Sequence, residues 1–236
     1  MRRLEIRSLL PEGRVSYDAA FRLQKEAEAR VKAGGDETLF LLEHEDVITI
    51  GRNAGRGDLR VTDEALAKLG VAVRQTDRGG KLTFHGPGQL VAYPILDLAP
   101  DRADVRRYVR DLEETLIRTA ADFGVPAARS PVPERWSSIW VGNSKLAAIG
   151  VHLSRWVTTH GVALNVTTDL ARFSLFVPCG IADGGVTSLQ TERNQTPPPT
   201  LQRVAERFVI HFTETFEREK STPETDEKRR IPALAR

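Results

Sequence analysis

Arg78-Gly79-Gly80-Lys81-Leu82-Thr83-Phe84-His85-Gly86-Pro87-Gly88-Gln89-Leu90-Val91-Ala92-Tyr93 is the stretch from which the rest of the chain can be read. Gly79, Gly80, Gly86, Pro87 and Gly88 surround a short apolar–polar alternation that carries Thr83 and His85. Glycine lets a backbone approach a ligand closely or take a positive φ, so glycines on both sides of one strand predict the wall of a binding site. The segment runs directly into the apolar Pro94-Ile95-Leu96. Much further on, Phe176-Val177-Pro178-Cys179-Gly180-Ile181 holds the one cysteine of the chain. A glycine-walled pocket and a single thiol on a Pro-Cys-Gly turn together point to acyl transfer through a thioester.

Outward from that segment, the chain alternates helical and strand patterns. Ser16 is placed to cap a helix with Ala20, Leu23, Ala27 and Val31 on one face, ending at Gly34-Gly35. Thr38 to Leu42 and Val47 to Ile50 read as buried strands. Thr62-Asp63-Glu64 opens a short helix that stops at Gly70, and Val71 to Arg74 returns as a strand. Asp104 to Phe123 carries Val105, Tyr108, Leu112, Leu116, Ala120 and Phe123 at helical spacing. Three strands, 138–141, 145–153 and 156–165, have loops short enough for a meander. A last helix is predicted from about Thr200 to Arg218. This order predicts an α/β (α+β) fold, a sheet with helices packed on it, as one domain over residues 1–219. Residues 220–236 are charged and proline-bearing, and are expected to form a disordered tail.

The 236 residues are 40% hydrophobic and 28% charged, with a formal net charge of +2. Such a balance argues against a strong nucleic-acid or membrane field. One cysteine excludes an internal disulfide framework and a multi-cysteine zinc site. The first residues show paired arginines with no apolar run behind them, so the expected location is the cytoplasm.

A thiol with an ordinary pKa of about 8.5 is only a few per cent thiolate at neutral pH, so catalysis by Cys179 needs a nearby cation or base. Lys145 heads the small-residue strand Leu146-Ala147-Ala148-Ile149-Gly150, and Lys81 lies within the glycine-rich segment. The residues alone leave both amines open, as well as a plain surface role for either. His85 and His160 each precede a glycine. They fit structural roles, a Cys/His pair, or a metal site, although no spacing matches the usual ligand pairs and no protease signature surrounds Cys179. Gly79-Gly80-Lys81-Leu82 lacks the spacing of a phosphate-binding loop. The Gly51–Gly57 stretch fits either a phosphate contact or a surface loop.

Arg78, Gly79, Gly80, Thr83, Phe84, His85, Gly88, Gln89 and Tyr93 together resemble the signature of the lipoyl(octanoyl) transferases, within the biotin/lipoate protein ligase superfamily. Lys145–Gly150, Trp156–Asn165 and Pro178–Ile181 are similar to further segments of that family. The resemblance implies that the β-sheet is mixed and flanked by helices. It also implies transfer of an octanoyl group from acyl carrier protein to a lysine of lipoate-dependent enzyme domains. The acceptors would be the lipoyl domains of 2-oxoacid dehydrogenases and the glycine cleavage H protein. It implies that Cys179 carries the acyl group and that Lys145 lowers its pKa, with His160 in support. Arg78, Gly79, Gly80, Lys81, Leu82, Thr83, Phe84 and His85 would line the acyl pocket with Ala148, Ile149, Gly150, Gly161, Val162 and Ala163. No cofactor or metal is expected, and the protein is expected to act as a monomer.

Two other readings stay open on sequence grounds, an ATP-dependent lipoate or biotin ligase and a non-catalytic module that binds carrier proteins. Arg102, Arg106, Arg107 and Arg110 cluster around the start of the 104–123 helix and form a candidate docking surface for an acidic carrier protein.

Overall fold

The computed structural model of the protein describes residues 2–99, 101–130, 132, 137–176, 184–193 and 197–221. Cys179, Gly180 and the tail beyond Ser221 lie outside the described residues. The first half of the chain forms β1 (Arg2–Ser8), β2 (Arg14–Val15), α1 (Tyr17–Lys32), β3 (Glu37–His44), β4 (Val47–Ile50), α2 (Asp63–Lys68), β5 (Ala72–Gln75), β6 (Leu82–His85) and β7 (Gln89–Ile95). Then come α3 (Val105–Ala121), β8 (Ala128–Arg129), β9 (Ser138–Val141), β10 (Ser144–Ser154) and β11 (Val157–Asn165). The chain continues through β12 (Gly185–Val186), α4 (Leu189–Arg193), α5 (Leu201–Phe216) and β13 (Arg218–Lys220).

The helix starts follow from their caps. Ser16 Oγ accepts from Ala19 N–H, Thr62 Oγ1 from Ala65 N–H, and Asp104 Oδ1 from the N–H groups of Arg106 and Arg107. Each satisfies a donor that the first helical turn leaves without an internal partner. Helix α5 ends two residues earlier than its pattern predicts. Glu217 turns into the left-handed region at φ 53°, and Arg218 begins a strand instead.

Among the described residues, the strands form a ten-stranded mixed sheet and a separate three-stranded sheet. The large sheet runs β13-β1-β3-β7-β11-β10-β9-β8, with β2 beside β3 and β12 beside β10. The predicted meander is present: β9, β10 and β11 pair antiparallel in sequence order, and β11 goes on to pair with β7. Arg155 and Trp156, at φ 52° and 64°, make the tight turn between β10 and β11. The small sheet places β4 between β5 and β6.

Three apolar clusters hold these layers together. On one face of the large sheet, Leu39, Leu90, Leu146, Ile149 and Leu164 pack under α3 and α5. Phe212 and Phe216 of α5 stack with ring centroids 4.3 Å apart, and burying an aromatic side chain contributes about 1.5–3 kcal/mol. On the other face, Phe40, Leu42, Val91, Tyr93 and Ala163 meet the Ala20, Ala27 and Val31 stripe of α1. The third cluster joins Ile48, Ile50, Leu66 and Phe84 of the small sheet and α2 to Phe173 and Phe176.

The glycine-rich segment divides between the sheets. Strand β6 belongs to the small sheet and β7 to the large one, and the turn between them needs Gly88 at φ 79°. A side chain on Gly88 would strike the Thr167 backbone. Strand β1 was not legible in the sequence, because Leu4 is its one fully buried residue and arginines surround it. At the far edge, Ser221 N–H donates to Leu4 O, so pairing continues just beyond Lys220.

Candidate functional site

A cavity of about 680 Å³ lies where the small sheet, the Arg78–Lys81 loop, the N-terminus of α1 and the free stretch of β10 meet. Arg78 anchors the loop. Its guanidinium is buried, and Nε and one terminal nitrogen donate to Thr49 Oγ1 at 3.1 and 2.8 Å. The same terminal nitrogen reaches Thr49 O at 2.7 Å, and the other donates to Gly79 O at 2.9 Å. Hydrogen bonds of this charged kind contribute about 1.5–3 kcal/mol each, so Arg78 acts here as a brace. The backbone completes the clamp. Arg52 N–H donates to Arg78 O, Asn53 N–H to Gly80 O, Gly51 N–H to Lys81 O, and Gly79 N–H to Val151 O of β10. The Gly51–Asn53 stretch is thus bonded to the Arg78 loop, and a Cβ at Gly51 would lie against Gly80 O.

The walls come from β10 and β11. Gly150 pairs with Gly161, Ile149 with Val162 and Ala148 with Ala163, and all six line the cavity. Two glycines at this register let neighbouring layers close in. A Cβ on Gly161 would overlap Ala92 O of β7, and one on Gly150 would stand 3.1 Å from Arg78 Cδ. The slot is narrow because backbone packs against backbone there.

The deep end is polar. Tyr93 OH donates to His44 Nε2 at 2.8 Å, and His44 Nδ1–H donates to Val15 O at 2.8 Å. Burial pushes the His44 pKa down to about 4, so its ring is neutral at pH 7. His85 Nδ1–H donates to Gln89 Oε1 at 2.8 Å. Gln89 Nε2 in turn donates to Phe84 O and to Asn165 Oδ1. Burial, reinforced by His44, holds His85 well below the ordinary histidine range. His160 sits at φ 58°, with its N–H on Gln24 Oε1 and Nε2–H on Asp77 Oδ1 at 2.6 Å. Burial lowers its pKa against the pull of Asp77, while the hydrogen bond from His160 holds the Asp77 carboxyl well below its usual range. Tyr17 OH is 3.5 Å from His160 Nδ1, and burial raises the Tyr17 pKa.

The cavity brings together Arg78, Gly79, Gly80, Lys81, Leu82, Thr83, His85, Lys145, Ala148, Ile149, Gly150, His160, Gly161, Val162 and Ala163. Phe84 is the exception among the expected lining residues. Strand alternation turns its ring away from the cavity, edge-on to Phe173 in the core of the small sheet. Lys81 is exposed at the rim, whereas Lys145 is half-buried, with Nζ 5.2 Å from the centre of the Trp140 ring. Arg102 corrects the docking expectation. It is buried against Phe216 and bonded to Asp111, Glu217 and Thr215 O, so it offers no free surface charge. Tyr17, Asn53, Val105, Val109, Ser137 and Val151 also line the cavity and had carried no sequence signal for it. Tyr93, a signature residue, lines it too.

Cys179 lies outside the described residues. Phe176 bridges to Leu59, and after residue 183 the chain returns as β12, where Gly185 pairs with Ser144 and Val186 with Lys145. Among the described residues no cluster of three or more His, Cys, Asp or Glu side chains could hold a metal ion, and no helix is long and apolar enough to cross a membrane.

The lipoyl protein ligase A/B catalytic domain family matches residues 16–213. The chain belongs to this family. It is 46% identical over 215 residues to a curated octanoyltransferase of Myxococcus xanthus, covering 88% of this chain and 59% of that protein. The chain thus spans less than two thirds of that relative. To the octanoyltransferase of Solibacter usitatus it is 47% identical over 206 residues, covering 87% of this chain and 90% of that one. A bi-partite lipoate protein ligase from Thermoplasma acidophilum matches with a TM-score of 0.68 over 94% of this chain and 87% of that one. At 14% identity that likeness bears on the fold alone, a mixed sheet flanked by helices shared with that lipoate protein ligase. In this chain Gly150 and Gly161 do structural work: they let the Arg78 loop and β7 approach the cavity strands closely.

Proposed function

We propose that the protein is an octanoyltransferase of lipoate biosynthesis, taking the acyl group from octanoyl-acyl carrier protein onto Cys179 and passing it to a lysine of a lipoyl domain. The octanoyltransferase relatives support the reaction. The observation that carries the site is the register of β12, which places the chain emerging from the Cys179 segment directly beside Lys145. Lys145 lines the cavity, and its amine would take the thiol proton and pair with the thiolate. It would give that proton to the departing carrier thiolate, then take the proton of the attacking lysine and return it to Cys179 as the amide forms. Exchange between two thioesters is nearly isoenergetic, and amide formation draws the second step forward, so no ATP is consumed. Residues 78–83, 85, 148–150 and 161–163 hold the acyl chain, and His160 supports the wall through Asp77. The catalytic domain reaches past the expected boundary at 219 to the end of β13 and the Ser221–Leu4 bond, and it works in the cytoplasm as a monomer without cofactor or metal. Acceptors are lipoyl domains of 2-oxoacid dehydrogenases and the glycine cleavage H protein.

Octanoyl-carrier protein and an apo lipoyl domain should yield octanoylated domain without nucleotide. Product from free octanoate that forms only with ATP, and persists after the thiol is blocked, would replace this reading with a ligase. Modification of the thiol without any loss of activity would favour a binding module.

The carrier-protein surface is assigned to the N-terminal turns of α3. Val105 and Val109 line the cavity from that helix, and Arg106, Arg107 and Arg110 are exposed on it. Arg107 lies 3.9 Å from Asp111, so Arg106 and Arg110 make the cleaner test. The double variant Arg106→Glu, Arg110→Glu should lower kcat/KM for the acidic carrier donor about tenfold at low salt, with the difference fading as salt rises. A small octanoyl thioester should be used as before. Unchanged kinetics toward the carrier at low salt would exclude this surface.

A further inference from the structure

The residues that line the cavity range from exposed to buried, and the buried ones include a group of polar aromatic side chains. Val105 at the rim is 43% exposed, whereas Tyr17 (7%), His85 (6%), Tyr93 (3%) and His160 (2%) are buried. The lining also holds the aliphatic Leu82, Ala148, Ile149, Val162 and Ala163 and the bare backbone of Gly150 and Gly161. A hydrocarbon tail needs no phenol or imidazole at its end, so these groups call for a separate account. Nearly all of them are held from behind. Tyr93 is fixed by His44 and thence by Val15 O, His85 by Gln89, and His160 by Asp77 and Gln24. An apolar floor can change rotamer under a longer tail; a floor tied in this way can move only by leaving a buried donor or acceptor unpaired.

Length agrees with position. From Lys145 to Gly150 strand β10 advances about 17 Å at ~3.4 Å per residue. The lysine side chain and the thioester occupy the first part of that run. An extended octanoyl chain covers about 9 Å, with C–C bonds of ~1.5 Å. Its methyl end would therefore arrive near the Gly150–Gly161 pair, beside His160 and one residue along β7 from Ala92, whose carbonyl packs on Gly161.

We infer that Tyr17 and Tyr93 form a fixed end stop that sets the acyl chain length at medium-chain substrates and rejects longer ones. The inference rests on the reading of this cavity as the acyl site. Tyr17 is the place to test it. Its ring is held by packing against Phe21 and His44, and among the described residues its hydroxyl makes only the long contact to His160, so its removal spares the Tyr93–His44 bond.

The experiment compares kcat/KM for hexanoyl, octanoyl, decanoyl and dodecanoyl thioesters of one carrier protein. In Tyr17→Ala the dodecanoyl-to-octanoyl ratio should rise at least about tenfold, the scale on which one or two methylenes are discriminated in a pocket. Tyr17→Phe keeps the ring and should keep the wild-type ratio within about twofold. If Tyr17→Ala does not fold, by circular dichroism and melting, Tyr17→Leu opens the same floor and should shift the ratio in the same direction. An unchanged ratio in the folded variant overturns the end stop. A wild-type protein that accepts no octanoyl thioester would instead overturn the acyl-site reading beneath it.

Discussion

Replacing Cys179 with serine removes acyl transfer, by at least about 10³-fold in turnover. A thiol can be made anionic near neutral pH with modest help, whereas a serine hydroxyl needs a dedicated strong base. The sequence holds no other cysteine to stand in. Wild-type protein mixed with octanoyl-carrier protein should gain one octanoyl mass in an intact-protein spectrum, and hydroxylamine should remove it. Cys179→Ser should show no such adduct. Full turnover in that variant would end the covalent route.

Lys145→Ala should slow acylation by about 10²-fold, the contribution usual for a positioned proton-transfer group. The sign of the accompanying titration follows from charge. A nearby ammonium favours the thiolate and depresses the thiol pKa, so its removal moves thiolate formation to higher pH. Iodoacetamide reactivity measured against pH in the two proteins reads this directly, and coincident profiles would mean that Lys145 does not tune Cys179. The Trp140 face below the amine steadies it while leaving it half-buried. Arginine at this position should not restore the rate, because a guanidinium keeps its proton.

The sequence made the periodic elements legible. Helix α1, with its Ser16 cap and Ala20–Val31 stripe, and the meander of β9 to β11 follow from spacing that one buried face imposes. Strands β1 and β13 do not, because these two outermost strands at one side of the sheet bury little and carry charge, which leaves no alternation to read. The cavity walls were legible as glycine, since glycine marks places where backbones meet. The buried polar part of the site was legible in His85, His160 and Tyr93 but not in Tyr17 and Asp77. Those two come from a helix N-terminus and a loop, and only folding makes them neighbours of His160. Arg102 misled for a related reason. It shares a stretch with exposed arginines but precedes the helix, where the chain turns it inward onto Phe216.

The edge of the large sheet joins the two ends of the ordered chain, since Arg2 pairs with Arg218 and Leu4 with Lys220. Beneath that edge Glu37 is buried, and Arg218 donates to it at 2.6 Å, while burial still raises the Glu37 pKa. This has a consequence for the order of folding. Closing a loop across almost the whole chain costs more entropy than any other pairing in the sheet, so it forms only after the inner strands have brought the ends together. During synthesis the N-terminal strand can dock on β3 as soon as β3 exists. Its outer side, and the full neutralisation of Glu37, must wait until residues 218–220 leave the ribosome. The last few residues of the fold thus act as a latch, and a nascent chain stopped short of them leaves the Glu37 carboxylate with Arg2, 3.4 Å away, and the Asp97 N–H.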